Sequence, residues 1–316
     1  MTCAFPAMWN ANGDAMRMPR RTLWFFAGLL LIGAALAATV FAGTLRLRHR
    51  ISLLTDGQQR PLLSPEGICP LSGSELIVAD TGNQRLVRYK AVKDFDYQAV
   101  ATVSLPQLRY PTKVQRHPQG DLWVLDRQAF RIVRLEPDGR FRGFFPPVQT
   151  AIKQIKSFAL APGGNAYLLE LSGSQVQEIG PQGNRIRELS APVECILSDL
   201  AVDLKGRLLA VDATTGTIYS AGPHEDLLKP MTASLKPYAR FPSRITTDDR
   251  GRIYLSDRNG CRIVILGQDG SFLANRSTRG WKEGLLQFPG QIWIAEDTLL
   301  VADTRNHRIQ VFTISE

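Results

Sequence analysis

The 316 residues are 44% hydrophobic and 21% charged, enough apolar material for a large core, and no long Ser- or Pro-rich linker divides them. The formal charge of +9 is uneven: six arginines and one acid fall within residues 1–50, so the remainder is only mildly basic, which argues against a nucleic-acid partner. The four cysteines, Cys3, Cys69, Cys195 and Cys261, contain no CxxC pair, which excludes a zinc ribbon and a thioredoxin-like motif; a single bridge among the last three stays open.

Residues 1–22 form an N-terminal tail that carries Arg17, Arg20 and Arg21. Residues 23–45 read LWFFAGLLLIGAALAATVFAGTL, without a charge. A bilayer core needs about 20 apolar residues in a helix, so this stretch is expected to be a transmembrane signal anchor. The alternative is a cleaved signal sequence with Ala35-Leu36-Ala37 as its cleavage site. Three arginines on each side tie the positive-inside count. A short tail before a first span usually stays in the cytoplasm. The remainder is therefore expected outside the cytoplasmic membrane, or secreted or periplasmic after cleavage.

From residue 46 onward the sequence repeats. Asp80, Asp126, Glu170, Asp212, Asp257 and Asp303 recur at intervals of 42 to 46 residues. Five residues after these anchors stand Arg85, Arg131, Gln175, Thr217, Arg262 and Arg308, each followed by an aliphatic residue. Glycine precedes four anchors by six residues, at Gly120, Gly164, Gly206 and Gly251. Short apolar runs lead into the anchors, and Pro65, Pro111, Pro242 and Pro289 open units one, two, five and six. Runs of this length between turn signals read as strands. Six units of this period fit six four-stranded blades, each burying its faces against its neighbours.

ADTGNQRLVRY, SDRNGCRIVIL and ADTRNHRIQVF resemble the core of the NHL repeat, and RGWKEGLLQFPGQI resembles its linker into the next blade. The likeness runs from about Leu63 to Phe312 and fades in units three and four. It implies an all-β, six-bladed NHL-type propeller behind the N-terminal helix; it implies no single activity.

Two sets of residues stand out. The pairs Asp80–Arg85, Asp126–Arg131, Asp257–Arg262 and Asp303–Arg308 are expected to lock the turn between second and third strands by charge-assisted hydrogen bonds. Gly67 keeps the glycine that the repeat places two residues after its proline. The equivalent positions are Lys113, Ser157, Asp199, Arg244 and Gln291, expected to gather near one opening of the central channel. There Lys113 and Arg244 can grip a carboxylate or phosphate. The plainer expectation for the same ring is a solvated rim around a water-filled channel.

No catalytic constellation assembles. His49, His117, His224 and His307 are dispersed, and G-x-S-x-G is absent. Related propellers include amidating lyases with channel histidines and lactonases with a channel metal held by acids. Asp199 and Glu66 are pieces of such a set without completing it. The reading is therefore a binding or scaffold module for a protein, peptide or glycan, with no cofactor; the alternative is a channel-metal-dependent lyase or lactonase-like hydrolase. The sixth unit ends too early for a fourth strand, so residues 50–55 are expected to complete it beside Ile309–Val311.

Overall fold

The computed structural model describes residues 45–146, 154–192 and 194–316. The expectations for residues 1–22 and 23–44 lie outside these; no helix of the described residues is long and apolar enough to cross a membrane. The described chain forms six four-stranded antiparallel sheets, the blades of a β-propeller. Blade one is Gly67–Ser72, Glu75–Asp80, Arg85–Lys93 and Asp96–Val103, inner to outer. The inner strands of blades two to six are Pro111–Arg116, Ile155–Leu160, Leu197–Val202, Pro242–Thr247 and Ile292–Ala295.

Side chains alternate across a strand, so a blade's second strand feeds both neighbours. Leu76 and Val78 pack toward blade six, whereas Ile77 and Ala79 pack toward blade two. Leu122 and Val124 turn back to blade one, and Trp123 and Leu125 face blade three. The buried apolar residues accordingly divide into six clusters, one per blade interface. This explains why the second strands read as unbroken apolar runs: both faces are covered.

Blade six takes its outer strand from the other end of the chain. Arg46–Leu53 pairs antiparallel with Arg308–Ser315, matching Arg46 with Ser315, Ile51 with Val311 and Leu53 with Ile309. This strand begins four residues earlier than the sequence suggests and stops at Leu53; Thr55 instead bridges to Pro61. Leu45, read as the last residue of the apolar span, is buried in the cluster between blades five and six, where its carbonyl accepts from Arg276 Nε. No free linker therefore separates residue 45 from the propeller: the stretch from Leu45 to Arg50 is core and strand.

The repeat turns carry more bonds than the Asp–Arg spacing implies. Asp80 receives Arg85 Nε at 2.7 Å, and Asp303 receives Arg308 Nε at 2.8 Å. Asn83 and Asn306 each donate to the same carboxylates at 2.8 Å. Gln84, Phe130, Cys261 and His307, just before the Arg position, sit in the left-handed region at φ of 50–55°. Asp257–Arg262 is looser, at 3.6 Å. The expected pair Asp126–Arg131 does not form. Arg131 lies over the Phe144 ring at 3.9 Å, and Asp126 is taken by the backbone N–H groups of Arg109, Tyr110 and Ala129. That second role is shared: Leu63, Arg240 and Gln287 donate their N–H to Asp80, Asp257 and Asp303. The anchors of blades one, two, five and six thus pin the chain that enters their own blade. Blade four replaces the ion pair with neutral bonds from Thr214 and Thr215 to Asp212.

Hydroxyls latch successive blades. Thr81 donates to the Pro111 carbonyl at 2.6 Å, Ser198 to Pro242 at 3.2 Å, Ser256 to Pro289 at 3.0 Å, and Thr304 to Pro65 at 2.9 Å. Pro111 and Pro242 open their inner strands and Pro65 and Pro289 lie just before theirs, where a missing N–H costs nothing and the carbonyl is still offered. Cys69, Cys195 and Cys261 are free and buried, so no bridge joins them.

Candidate ligand-binding face

The inner strands of blades two to five carry a register shift immediately before Lys113, Ser157, Asp199 and Arg244. A bulge re-aims the residue that follows it. Blade one instead has Gly67, whose added Cβ would lie 2.9 Å from the Ala79 side chain and 3.2 Å from the Thr112 carbonyl.

The residues expected to ring an opening divide between two places. Four of them are buried on the axis. Lys113 is 2% exposed, and its Nζ donates to Asp199 Oδ1 at 2.6 Å, to the Leu200 carbonyl at 3.1 Å and to Ser157 Oγ at 3.2 Å. The Ser157 hydroxyl also donates to Asp199 Oδ1, and the Ile245 N–H donates to Oδ2 at 3.0 Å. Gln291 Oε1 accepts from Ile68 and Val114, and its amide returns a bond to the Val114 carbonyl. The group touches all six inner strands and satisfies itself. Burial pushes the Lys113 ammonium below its ordinary value; Asp199 opposes this and nearby Arg244 adds to it. The axis here is neither a solvated rim nor an open grip for an anion, because self-paired side chains fill it.

This cross-tie separates two mouths. The lower one, on the side of the turns between first and second strands, is a cavity of about 470 Å³ walled by Leu160, Val202, Ile245 and Trp293, with Lys113 and Asp199 among its lining residues. The upper one lies on the side of the repeat turns. Arg244 reaches it instead of the cross-tie, its guanidinium 3.9 Å from Glu66 Oε2. Arg258 approaches Glu66 Oε1 at the same distance, and the Tyr110 hydroxyl stands 3.5 Å from that oxygen. Burial lowers the Arg258 pKa; Glu66 opposes this, and Arg244 and Arg127 add to it. Lys156 is likewise lowered by burial and by Arg127. Around these charges stand exposed apolar groups, Tyr110, Leu171, Ile196 and Phe241. Arg127, Ala213 and Arg258 donate their N–H to the carbonyls of Tyr110, Ile196 and Phe241, fixing cations and apolar groups on one surface.

Arg127, Arg258, Tyr110 and Phe241 were not singled out in the sequence. Their signal lies in two columns beside the ones that were read: the residue after the anchor, and the residue before the proline. Glu66, expected as a metal ligand, faces two guanidinium groups, and both Asp199 oxygens are engaged by donors. Among the described residues no three His, Cys, Asp or Glu side chains are placed to hold a metal ion. The carboxylates do not fit a divalent cation.

No protein-family profile and no curated protein matches the chain. Solved structures do. A streptogramin B lyase is 14% identical with a TM-score of 0.62, covering 88% of this chain and 100% of its own. A gluconolactonase from Xanthomonas campestris is 12% identical with a TM-score of 0.63, covering 88% and 92%. An auxiliary nutrient binding protein from Bacteroides ovatus is 12% identical with a TM-score of 0.65, covering 86% and 77%. At these identities the likeness establishes the architecture alone: the chain is a six-bladed β-propeller.

Proposed function

We propose that this chain is an NHL-type propeller that works by binding, not turnover, and that its upper mouth takes a segment of a protein or peptide. The observation that carries the reading is the pairing, on one rigid face, of exposed Tyr110, Leu171, Ile196 and Phe241 with Arg127, Lys156 and Arg258. Aromatic side chains and arginines are the residues enriched where binding energy concentrates. The excess of cations favours acidic segments with apolar anchors. The uncharged run of residues 23–45 supports placing this face outside the cytoplasmic membrane, tethered or exported. Sedimentation of the full chain with membranes against high salt tests the tether; a soluble form starting near Ala38 shows cleavage.

The binding role is tested by selecting displayed random peptides on the purified propeller, with a Tyr110→Ser/Arg127→Ser/Phe241→Ser variant as counter-selection. Acidic, aromatic-containing peptides should be enriched on the wild type and lost on the variant. Enrichment that survives the triple change sinks the reading.

The second reading is a lyase or lactonase-like hydrolase, and its support is the fold shared with such enzymes. A stoichiometric divalent ion retained by the purified, folded protein would favour it over binding alone.

A further inference from the structure

Burying a charged group without a partner is costly, so each such group needs a reason. Glu66 is 3% exposed, yet its Oε2 makes no hydrogen bond among the described residues, and the same holds for the buried Nε of Arg244. Arg244 and Arg258 both stop 3.9 Å from the Glu66 carboxylate, beyond hydrogen-bond reach. Two guanidinium groups of blade five, Arg244 and Arg258, with the Tyr110 hydroxyl from the entry to blade two, thus stand around one carboxylate without closing on it. An acceptor, Glu66 Oε2, and a donor, Arg244 Nε, are left unpartnered in the same cluster.

We infer that the upper mouth holds a tetrahedral oxyanion that carries its own O–H, a hydrogenphosphate group. The inference rests on the upper mouth being the binding face and names the group that it grips. The donors present outnumber what the two oxygens of a carboxylate can accept; four oxygens can use them, and guanidinium forks suit that geometry. The free Glu66 oxygen supplies the discrimination. It accepts a hydrogen bond from the P–OH of hydrogenphosphate, whereas sulfate, of the same shape, has no hydrogen to offer and meets the carboxylate with like charge. A site built to receive a hydrogen bond rejects the analogue that lacks it. The excess of cations attracts the anion; the carboxylate selects among anions.

The test is calorimetric titration of the purified propeller with inorganic phosphate and, separately, with sulfate, at pH 7 and constant ionic strength. Phosphate should bind saturably, roughly 10- to 100-fold tighter than sulfate, the range of one hydrogen bond to a charged group. Glu66→Gln should admit sulfate and collapse the preference; Glu66→Asp, which keeps the charge and shortens its reach, should weaken phosphate while still rejecting sulfate. Arg258→Gln should weaken both anions about equally. A blocked phosphoserine peptide, titrated beside inorganic phosphate at about pH 5 where the monoester keeps its O–H, distinguishes the sources: binding like free phosphate indicates a phosphate carried on a partner, and its exclusion indicates the free ion. Equal affinity for phosphate and sulfate in the wild type, or a preference unchanged in Glu66→Gln, overturns the inference. Selected peptides that bind without any phosphate preference would remove this proposal and leave the binding face standing; phosphate selectivity without peptide capture would do the reverse.

Discussion

Asp199→Ala is the sharpest perturbation of the axial cross-tie. It removes the one carboxylate among the described residues within reach of the Lys113 ammonium and leaves that charge on the axis with Ser157 and a carbonyl. Breaking a buried ion pair from one side costs about 3–5 kcal/mol, because the remaining charge is uncompensated. For a domain of this size each kcal/mol moves the melting temperature by roughly 2–4 °C, so the variant should melt roughly 6–20 °C lower in scanning calorimetry. The double variant Lys113→Met/Asp199→Leu removes both charges and should recover most of the loss. The pH dependence has a definite sign. The Lys113 pKa is lowered from 10.5 in the fold, so between the depressed value and 10.5 the unfolded chain binds more protons. Stability carried by this group therefore rises with pH in that window, and the deficit of Asp199→Ala should shrink as pH climbs toward 10. An Asp199→Ala protein that melts within a degree of wild type, or a double variant as unstable as the single one, refutes the reasoning.

Arg85 meets Asp80 at 2.7 Å and Asp56 at 2.6 Å, whereas Arg131 only stacks on Phe144. Arg85→Ala should therefore cost about 3–5 kcal/mol and Arg131→Ala about 1 kcal/mol or less, measured by urea unfolding. Burial would raise the Asp56 pKa, but hydrogen bonds from Arg60 and Gln58 and the charge of Arg85 outweigh it and hold the group at about 2. Its stabilisation is present above pH 3.8 and lost as pH falls through 2, so Asp56→Asn should melt lower at neutral pH and lose less between pH 4 and 2. Burial pushes the Cys69 thiol up to about 12, and Cys195 and Cys261 are also buried. In Cys3→Ser protein, a thiol reagent should label none of the three until denaturant is added.

The repeat made the architecture legible because a blade buries both faces and so keeps its apolar columns and turn residues. Blades three and four were weak in the sequence for a physical reason: Glu170 and Asp212 bond to hydroxyls or turn N–H groups instead of an arginine. Asp126–Arg131 shows the limit of spacing as evidence. The columns match, but Phe144 offers Arg131 a ring and the linker N–H groups occupy Asp126. The candidate ring was correctly aligned in sequence and misjudged in space. One column holds Lys113, Asp199 and Arg244, yet opposite charges across the axis drew the first two into a bond and left Arg244 to Glu66. Which partners meet across a channel depends on blade order and bulge geometry, and neither is written in a single repeat.

Where a bound peptide makes its contacts decides most directly which face of the propeller binds. Titration of a selected peptide into wild type, Arg127→Ala, Phe241→Ala and the lower-cavity variant Leu204→Ser measures this, since Leu204 is exposed and lines the opposite mouth. Affinity should fall about ten-fold or more in each upper-mouth variant, as for central interface residues, and stay unchanged in Leu204→Ser. Loss in Leu204→Ser with full affinity in Arg127→Ala and Phe241→Ala would place the binding face on the other side of the propeller.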